Sequence, residues 1–594
     1  MNAKTQTNTK ELFGHPVGLY ILFFTEMWER FSYYGMRAIL VLYIIAEAKD
    51  GPTGGLGWSN EDALALYGWY TMMVYLMSIP GGLLADRYLG QKKAVMLGGL
   101  LLCVGHGILA IEALWAFYTG LVLIVFGVGC LKPNISTMVG GLYKQGDIRR
   151  DKGFTIFYIG INVGAFLSSI IVGAIGEKVG WHYGFGLAGI GMLLGQLVFV
   201  YGQKYLKGVG EVVKERVDTA KRMVDEKKGL TKIEKDRVVV LLLSFLIIIV
   251  FWGAFEQAGG LMNIYAKEKI NRVFMGVEIP ASVFQSVNAF FIMVFGTTVA
   301  AFWVRRRVKG KEESAIFKMA IGTIIMGTGF LMMGAASVEA GAEPFGDAAM
   351  YWLILAYLLH TIGELCTSPV SLSFITKLAP VKYASLMMGL YFAATGLGNK
   401  VAGLIGEASQ SKPIKMEILA DQAFLESISE KEVVQKDVFS EVIIDLLGDL
   451  VPKEGPSERT NFEVRVNVYN DAQGKFVIHT LSGNEPLNAR ITMDKENTEH
   501  LQEELADEEV TESNKYHAKL AIEKKKGKYE GQIVIDEIQN DRELITFLSI
   551  FGITVFFGIV LLARLKKLKA MTHGAEDVKS AEELAKEAIE SEVA

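Results

Sequence analysis

Seven ionisable side chains fall inside apolar segments that are long enough, at about 20 residues, to cross a bilayer as helices. They are Glu26, Glu29, Arg30, Arg37, Lys132, Glu256 and Glu364. A charge at the centre of a spanning helix costs about 2.5–3.5 kcal/mol even on lenient insertion scales. Each of these residues therefore implies a buried partner or an aqueous cavity.

The first apolar segment carries an acid–acid–base cluster. Glu26 and Glu29 are three residues apart, and Arg30 follows Glu26 by four, so all three share one face of a helix. Two crowded carboxylates do not both ionise easily, so we expect one of them to hold a proton near neutral pH. The nearby cations Arg30 and Lys132 favour the ionised form and therefore oppose this protonation. A substrate carboxylate that occupied these cations would change the balance, which gives a physical basis for coupling proton movement to solute movement. The alternative is a static ion network that only fixes helix packing.

The elements that position these charges are predicted to be twelve spanning helices. The composition supports this, because 51% of the 594 residues are hydrophobic and only 21% are charged. The helices are predicted at 17–46, 61–85, 92–112, 114–142, 153–176, 181–206, 237–264, 283–305, 315–337, 349–378, 384–407 and 542–567. The three cysteines all lie in such segments, so no disulfide framework is expected.

Loop charge indicates the orientation. Lys and Arg accumulate after the even-numbered helices, for example at Arg149 and Arg150 and at Arg305–Arg307. Basic loops stay in the cytoplasm, so both termini are predicted to be cytoplasmic. No cleavable signal is seen at residues 1–16, and a bacterial inner membrane is the expected location.

Soluble segments divide the chain further. The stretch 207–236 is charged and predicts an amphipathic cytoplasmic linker between two six-helix halves. The stretch 408–541 has an excess of acidic residues and predicts an extracytoplasmic accessory domain with strands near Phe462–Asn470, Phe476–Leu481, Ala518–Lys524 and Gln532–Ile538. Whether it serves as a spacer, a lid or a dock for a periplasmic partner is open. The resulting domains are 17–206, 207–236, 237–407, 408–541, helix 542–567 and tail 568–594.

The six-plus-six layout resembles the major facilitator superfamily, an all-α membrane fold whose substrates bind at the midplane between the two halves. Gly81–Lys93 (GGLLADRYLGQKK) is similar to the loop that follows helix 2 in that superfamily. There, Asp86 and Arg87 are expected to act as gating residues that pair by charge in one conformational state. The alternative is a turn that only sets topology.

Five ordered motifs make the resemblance more specific. Glu26–Gly35 (EMWERFSYYG) resembles the ExxERFxYYG signature of the proton-dependent oligopeptide transporter family. The other motifs similar to that family are Lys132–Thr137 with Phe157–Gly164, Phe284–Asn288, Gly363–Pro369 and Lys377–Pro380. The resemblance covers the twelve helices and leaves out the insertion. It implies uptake of di- and tripeptides driven by a proton gradient, without a cofactor.

The residue chemistry agrees with a zwitterionic peptide. Arg37 and Lys132 supply cations for its carboxylate, and Glu364 supplies an anion for its ammonium. The amides of Asn162 and Asn288 suit the peptide backbone, with helix–helix hydrogen bonding as the alternative for both. The remaining expected substrate-binding residues are Tyr34, Tyr75, Tyr158, Trp252 and Ser368, for which ordinary packing is the alternative.

Glu256 is expected to pair with Arg37 when no peptide is bound, so that it joins Glu26, Glu29 and Arg30 in proton coupling. The sequence leaves competing functions open. One is transport of another small anion or zwitterion by the same fold, and another is a peptide sensor that does not translocate. An enzyme is not expected, because no nucleophile–base pair, metal-ligand spacing or phosphate loop is found, and no nucleic-acid partner is expected.

Overall fold

A computed structural model provides the structure of the protein. It describes residues 10–46, 48–49, 51–143, 147, 149–211, 230–342, 347–380, 383–410, 414–420, 459–470, 476–480, 489–493, 514–525, 528–537 and 541–575. The chain divides into two compact units. The second consists of 337–348 and 408–545, and the first contains the rest.

Most of the described chain is α-helical. The helices are α1 (Val17–Ile45), α2 (Asn60–Leu76), α3 (Ser78–Leu84), α4 (Gln91–Leu109), α5 (Leu114–Gly141), α6 (Arg150–Lys178), α7 (Trp181–Gly202), α8 (Lys232–Phe255), α9 (Leu261–Glu268), α10 (Ser286–Val308), α11 (Ala315–Ala342), α12 (Met350–Leu378), α13 (Ala384–Ser409) and α14 (Asp541–Met571). Within the described residues, nine segments are long and apolar enough to cross a membrane.

A helix lies at every position where the sequence predicted a span. The three positions outside the nine apolar segments are α1, which carries the charge cluster, α2, which has 17 residues, and α13. The count of twelve spans stays a prediction.

Two predicted helices are interrupted. The span 61–85 divides at Met77 into α2 and α3, and a single π-helical turn, Ala85–Leu89, follows. Pro80 explains the division, because it has no N–H to continue the ladder but is tolerated in the first turn of a new helix. The span 237–264 ends at Phe255, and a 3₁₀ turn (Glu256–Ala258) then leads to α9. Continuous helices were therefore wrong at both places.

Glycines let the helices of the first half approach closely. Helix α1 packs on α6 and α7, and α4 packs on α5 and α7. A Cβ at Gly164 of α6 would collide with the carbonyl of Met27, and one at Gly35 would lie 2.8 Å from Val172. Because α6 lies directly on α1, the charged face of α1 is held in one place.

The second half has its own apolar core, built from α8, α11, α12, α13 and α14 and including Phe245, Phe374 and Tyr391. The two halves also meet each other. Helix α6 contacts α10, and α1 contacts α9. Gly68 of α2 lies against Gly403 of α13, where a Cβ added to Gly68 would come 2.8 Å from the Gly403 Cα.

The second unit contains an antiparallel six-stranded sheet. Its strands are β7 (Ile414–Ala420), β8 (Arg459–Asn470), β9 (Phe476–Thr480), β10 (Ala489–Met493), β11 (Asn514–Lys525) and β12 (Lys528–Glu537), and their order is β10-β7-β12-β11-β8-β9. The four strands expected from the sequence overlap β8, β9, β11 and β12, whereas β7 and β10 were missed. Gly531, which was expected in a turn, lies within β12.

Short strands were also missed. The hairpin β1 (Glu11–Leu12) and β2 (His15–Pro16) precedes α1, and the strands between α9 and α12 are β3 (Ile270–Asn271), β4 (Val273–Phe274), β5 (Val277–Glu278) and β6 (Ala348–Ala349). The amphipathic linker prediction falls largely on 212–229, outside the described residues. Most of the predicted tail also lies outside them, although α14 extends to Met571.

Candidate functional site

The acid–acid–base cluster of α1 is fully formed and buried. Glu26, Glu29 and Arg30 are 1%, 0% and 5% exposed. Arg30 donates from Nε and Nη2 to Glu26 Oε1, at 2.9 and 2.7 Å. Its Nε is also 3.2 Å from Glu29 Oε2, yet neither oxygen of Glu29 accepts a hydrogen bond from the described residues. The guanidinium of Arg30 thus lies beside two carboxylates and donates both of these hydrogen bonds to Glu26.

A second ion pair joins the two halves. Arg37, two turns after Arg30 on α1, donates from Nη1 to both oxygens of Glu256, at 3.2 and 3.0 Å. Glu256 is 2% exposed and begins the 3₁₀ turn that ends α8. Tyr67 of α2 donates to the same carboxylate at 3.2 Å. The break in α8 therefore places Glu256 opposite helices of the other half.

Aromatic rings lie under the cations. Lys132 Nζ is 3.8 Å from the centre of the Tyr75 ring, and no carboxylate of the described residues comes within ion-pair distance of it. The guanidinium of Arg37 lies 5.0 Å from the Tyr34 ring, and that of Arg30 lies 5.9 Å from it. Cation–π contacts of this kind stabilise a cation without neutralising it, so Lys132 keeps its charge available to an anion.

Glu364 is held by a hydrogen-bonded amide. Asn288 of α10 donates from Nδ2 to Glu364 Oε2 at 2.9 Å and to Thr361 Oγ1 at 3.0 Å. Both acceptors are on α12, one turn apart or less. The amide thus orients the carboxylate but leaves it without a cation among the described ion pairs. A partly buried anion without a countercharge is suited to an ammonium group.

These residues surround one cavity of about 1100 Å³. All ten expected substrate-binding residues line it, and so do Glu26, Arg30, Glu256 and Asp86; Glu29 and Arg87 do not. The lining reaches Asp86 and Thr376, near the helix termini at one end of the bundle, which we call the Asp86 end. At the opposite end the lining includes Arg37, Glu256, Ala258 and Tyr357.

In this conformation Asn162 and Arg87 do not make the contacts expected for substrate binding and for gating. Asn162 donates its amide to the Tyr158 carbonyl of its own helix, at 2.9 Å, so one of its donors is engaged locally. Arg87 is exposed and forms no ion pair within the described residues, so the expected charge pairing of the loop stays a prediction.

Several lining or contacting residues were missed. Tyr67, Tyr357 and Gln285 lie at the site, and only their position in the folded bundle distinguishes them from packing aromatics and amides. Lys400 could have been found. It lies within α13, and its Nζ sits 4.7 Å from the ring centre of Trp69 on α2. The cost argument applied to the other seven charges applies equally to it.

The apolar helices and the buried charged cavity define a multi-pass membrane protein. The family model described as POT family matches residues 92–219 and 211–420. The chain is 36% identical to the "Peptide transporter YePEPT" of Yersinia enterocolitica subsp. palearctica, over 68% of this chain and 90% of that one. It is 34% identical to a "Di-/tripeptide transporter" of Lactococcus lactis subsp. cremoris, over 65% and 88%.

A solved structure agrees with these relatives. A crystal structure of a POT family transporter in complex with a thioalcohol-conjugated peptide superposes with a TM-score of 0.61 at 31% identity, covering 67% of this chain and 91% of that one. The chain belongs to the POT family. The resemblance drawn from the five motifs is thereby confirmed, and residues 421–541 lie outside the match to the family model.

Proposed function

We propose that the protein is a proton-coupled symporter that imports di- and tripeptides by alternating access. One observation carries this proposal. A single cavity brings Arg37 and Lys132, from the first half, to face Glu364 and Asn288, from the second half. The names of the two relatives and the peptide conjugate bound in the solved structure support peptides as the substrate class.

The charge arrangement suits a short zwitterion. The peptide carboxylate would bind Arg37 or Lys132, and the ammonium would bind Glu364. Because these groups belong to different halves, a bound peptide would stabilise the conformation in which the halves are close. This differential affinity is what an access switch requires. Asn162, Asn288, Tyr34, Tyr75, Tyr158, Trp252 and Ser368 would complete the pocket.

Proton coupling would use Glu26, Glu29, Arg30 and Glu256. Glu29 is the better candidate for the proton carrier, because no hydrogen bond from the described part of the chain stabilises its buried carboxylate, whereas Glu26 accepts two from Arg30. A proton on Glu256 would release Arg37 for the peptide carboxylate. The proton gradient would supply the driving force, without a cofactor.

The topology follows from loop charge. With twelve helices in two six-helix bundles, the Asp86 end faces the cytoplasm together with both termini, and the sheet-containing insertion at 408–541 is periplasmic. The protein would then lie in the inner membrane. In this orientation a cavity that reaches the Asp86 end would open to the cytoplasm, and the conformation would be inward-facing with a closed periplasmic side. Asp86 and Arg87 would act in the opposite state.

Purified protein in liposomes tests the function. A labelled dipeptide should accumulate when the outside is acidic, and accumulation should stop when a protonophore collapses the gradient. An N-acetylated dipeptide is the matched control, since it lacks the ammonium for Glu364. Binding without accumulation would identify a sensor. Accumulation of a small anion in preference to the dipeptide would identify a different transporter of the same fold.

A further inference from the structure

Glu177 makes a buried contact between the two halves that none of the motifs above includes. It lies in the last turn of α6, and its side chain is 5% exposed. Its carboxylate accepts hydrogen bonds from the backbone N–H of Ser282 at 2.8 Å, from Ser282 Oγ at 2.6 Å and from the backbone N–H of Ala281 at 3.2 Å. The acceptor belongs to the first half and all three donors belong to the second.

These donors begin the 3₁₀ turn Ala281–Gln285 that leads into α10. The first N–H groups of a helix have no partner within it, and a carboxylate there satisfies them and interacts favourably with the helix dipole. A cap normally comes from the residue just before the helix. Here it comes from α6, about 100 residues earlier in the sequence. The start of α10 therefore depends on the two halves being in contact.

The surroundings of Glu177 are shaped for this contact. Gly173, one turn earlier on α6, lies against Ser282, whose Oγ a Cβ at Gly173 would overlap. Lys267 Nζ of α9 is 3.7 Å from Glu177 Oε2, and Lys178 donates to the carbonyl of Glu278 at 3.1 Å. Several polar contacts thus connect the end of α6 to the second half. The side chain of Glu177 is less exposed than those of Lys178 and Lys267.

The Glu177 contact lies at the same end of the bundle as the Arg37–Glu256 pair, but the two contacts take their carboxylates from different halves. In one contact the second half offers a carboxylate, Glu256, to a cation of the first. In the other the first half offers Glu177 to the helix terminus of the second. If the halves separate at this end, as alternating access requires, both carboxylates lose their partners. A group that is satisfied in only one of two conformations shifts the equilibrium toward it.

We propose that Glu177 is a positioning residue of the transport cycle, which holds the periplasmic side closed by capping α10 across the interface between the halves. This inference rests on the alternating access proposed above. Losing a charged cap should raise the ratio of open to closed protein about tenfold.

Spin labels on the full-length protein in nanodiscs test this inference, without peptide and without a proton gradient. Labels at Lys49→Cys and Met275→Cys, both exposed and one in each half, report the opening of this end; the native cysteines are replaced by alanine. Glu177→Ala should increase the population at long distance, and Glu177→Gln, which keeps one acceptor oxygen, should increase it less. Glu112→Ala, an exposed acid at the same end, should behave like the parent.

Two further variants keep the test decisive. Gly173→Ala leaves Glu177 in place but displaces Ser282, so it should also favour opening. It replaces Glu177→Ala as the test if that variant proves unstable. Glu256→Ala removes the other contact and should open the same end. If Glu256→Ala opens the protein while Glu177→Ala and Gly173→Ala do not, Glu177 has no such role. If no variant populates a longer distance, alternating access fails along with this inference.

Discussion

Arg37 donates two hydrogen bonds to Glu256 and closes the cavity where α1 meets the end of α8. The pair is nearly dry, with side chains that are 11% and 2% exposed, and Tyr67 supports it from α2. A buried ion pair becomes strongly destabilising when one partner is removed, because the other charge is left without compensation. The pair can therefore stabilise one conformation only as long as both charges are present.

Glu256→Gln should reduce proton-driven uptake by about tenfold or more and flatten its pH profile. The amide keeps the shape of the side chain but cannot neutralise Arg37, and it cannot take up a proton to release it. Initial rates of labelled dipeptide uptake across a series of external pH values measure this. Glu112→Gln, an exposed acid outside the cavity, is the control and should leave both rate and profile unchanged. An unchanged profile for Glu256→Gln would exclude a role in coupling.

Glu364→Gln should distinguish peptides by their amino terminus. The glutamine oxygen can still accept from Asn288, so the local hydrogen bond survives while the negative charge is lost. We expect KM for a free dipeptide to rise about tenfold or more, since a hydrogen-bonded charge pair typically contributes more than 1.4 kcal/mol. The N-acetylated dipeptide, which carries no ammonium, should bind the variant and the parent equally. An equal loss for both substrates would mean that Glu364 acts only through structure.

The two glutamates of α1 should respond differently to neutralisation. Glu29→Gln should abolish accumulation against a gradient but permit peptide counterflow, because the proton site is lost while the Glu26–Arg30 pair remains. Glu26→Gln keeps one acceptor oxygen but removes the negative charge that pairs with Arg30, so it should lower stability as well as uptake. Thermal unfolding in detergent separates the two effects. If Glu26→Gln retained counterflow and Glu29→Gln retained accumulation, the proton would belong to Glu26.

The sequence indicated the charged residues of the site because their cost in a membrane does not depend on the details of packing. Arg37, Lys132, Glu256 and Glu364 were all expected to face a common interior, and all four line the cavity. The cost argument does not specify partners. How α10, α12 and α2 pack decides that Asn288 bonds to Glu364. It also decides that Lys132 lies over Tyr75, without an ion-pair partner among the described residues.

The other features that the sequence did not predict also depend on packing or are too short to leave a pattern. The breaks at Met77 and after Phe255 place short turns inside segments whose apolar pattern is continuous, so hydropathy alone does not show them. The cap by Glu177 joins residues about 100 positions apart, and no local pattern marks such a pair. The hairpin before α1 consists of two-residue strands, too short for any period to appear.

The hairpin of β1 and β2 should loosen in acid. Arg149 donates to Glu11 at 2.9 Å and to the Gly14 carbonyl at 3.1 Å, and Asp147 orients Arg149. Hydrogen bonds from the side chain and backbone of Arg149 lower the pKa of Asp147. A lowered carboxyl pKa gives stability that is present above its ordinary value, near 4, and is lost as pH falls through the folded value.

A spin label at Phe13→Cys, which is exposed at the hairpin tip, measures this change. Its mobility should stay constant at neutral pH and rise only below about pH 4. Asp147→Asn should raise the mobility at neutral pH and remove most of the acid transition. A label whose mobility did not change between pH 7 and the acid range, in the parent protein, would contradict this prediction.

Gly403→Ala should destabilise the protein, because α13 and α2 touch through their backbones at this position. A Cβ on Gly403 would lie 2.6 Å from the Cα of Gly68 and 2.9 Å from the carbonyl oxygen of Leu64, and neither backbone atom can move aside easily. Overpacking of this kind costs about 1–3 kcal/mol, and we expect a lower thermal midpoint in detergent together with a weaker closure of the end opposite Asp86. Gly82→Ala is the matched control, since a Cβ there meets no atom within 4 Å and alanine favours the helix. A midpoint for Gly403→Ala equal to that of Gly82→Ala would show that the two halves do not rely on this glycine contact.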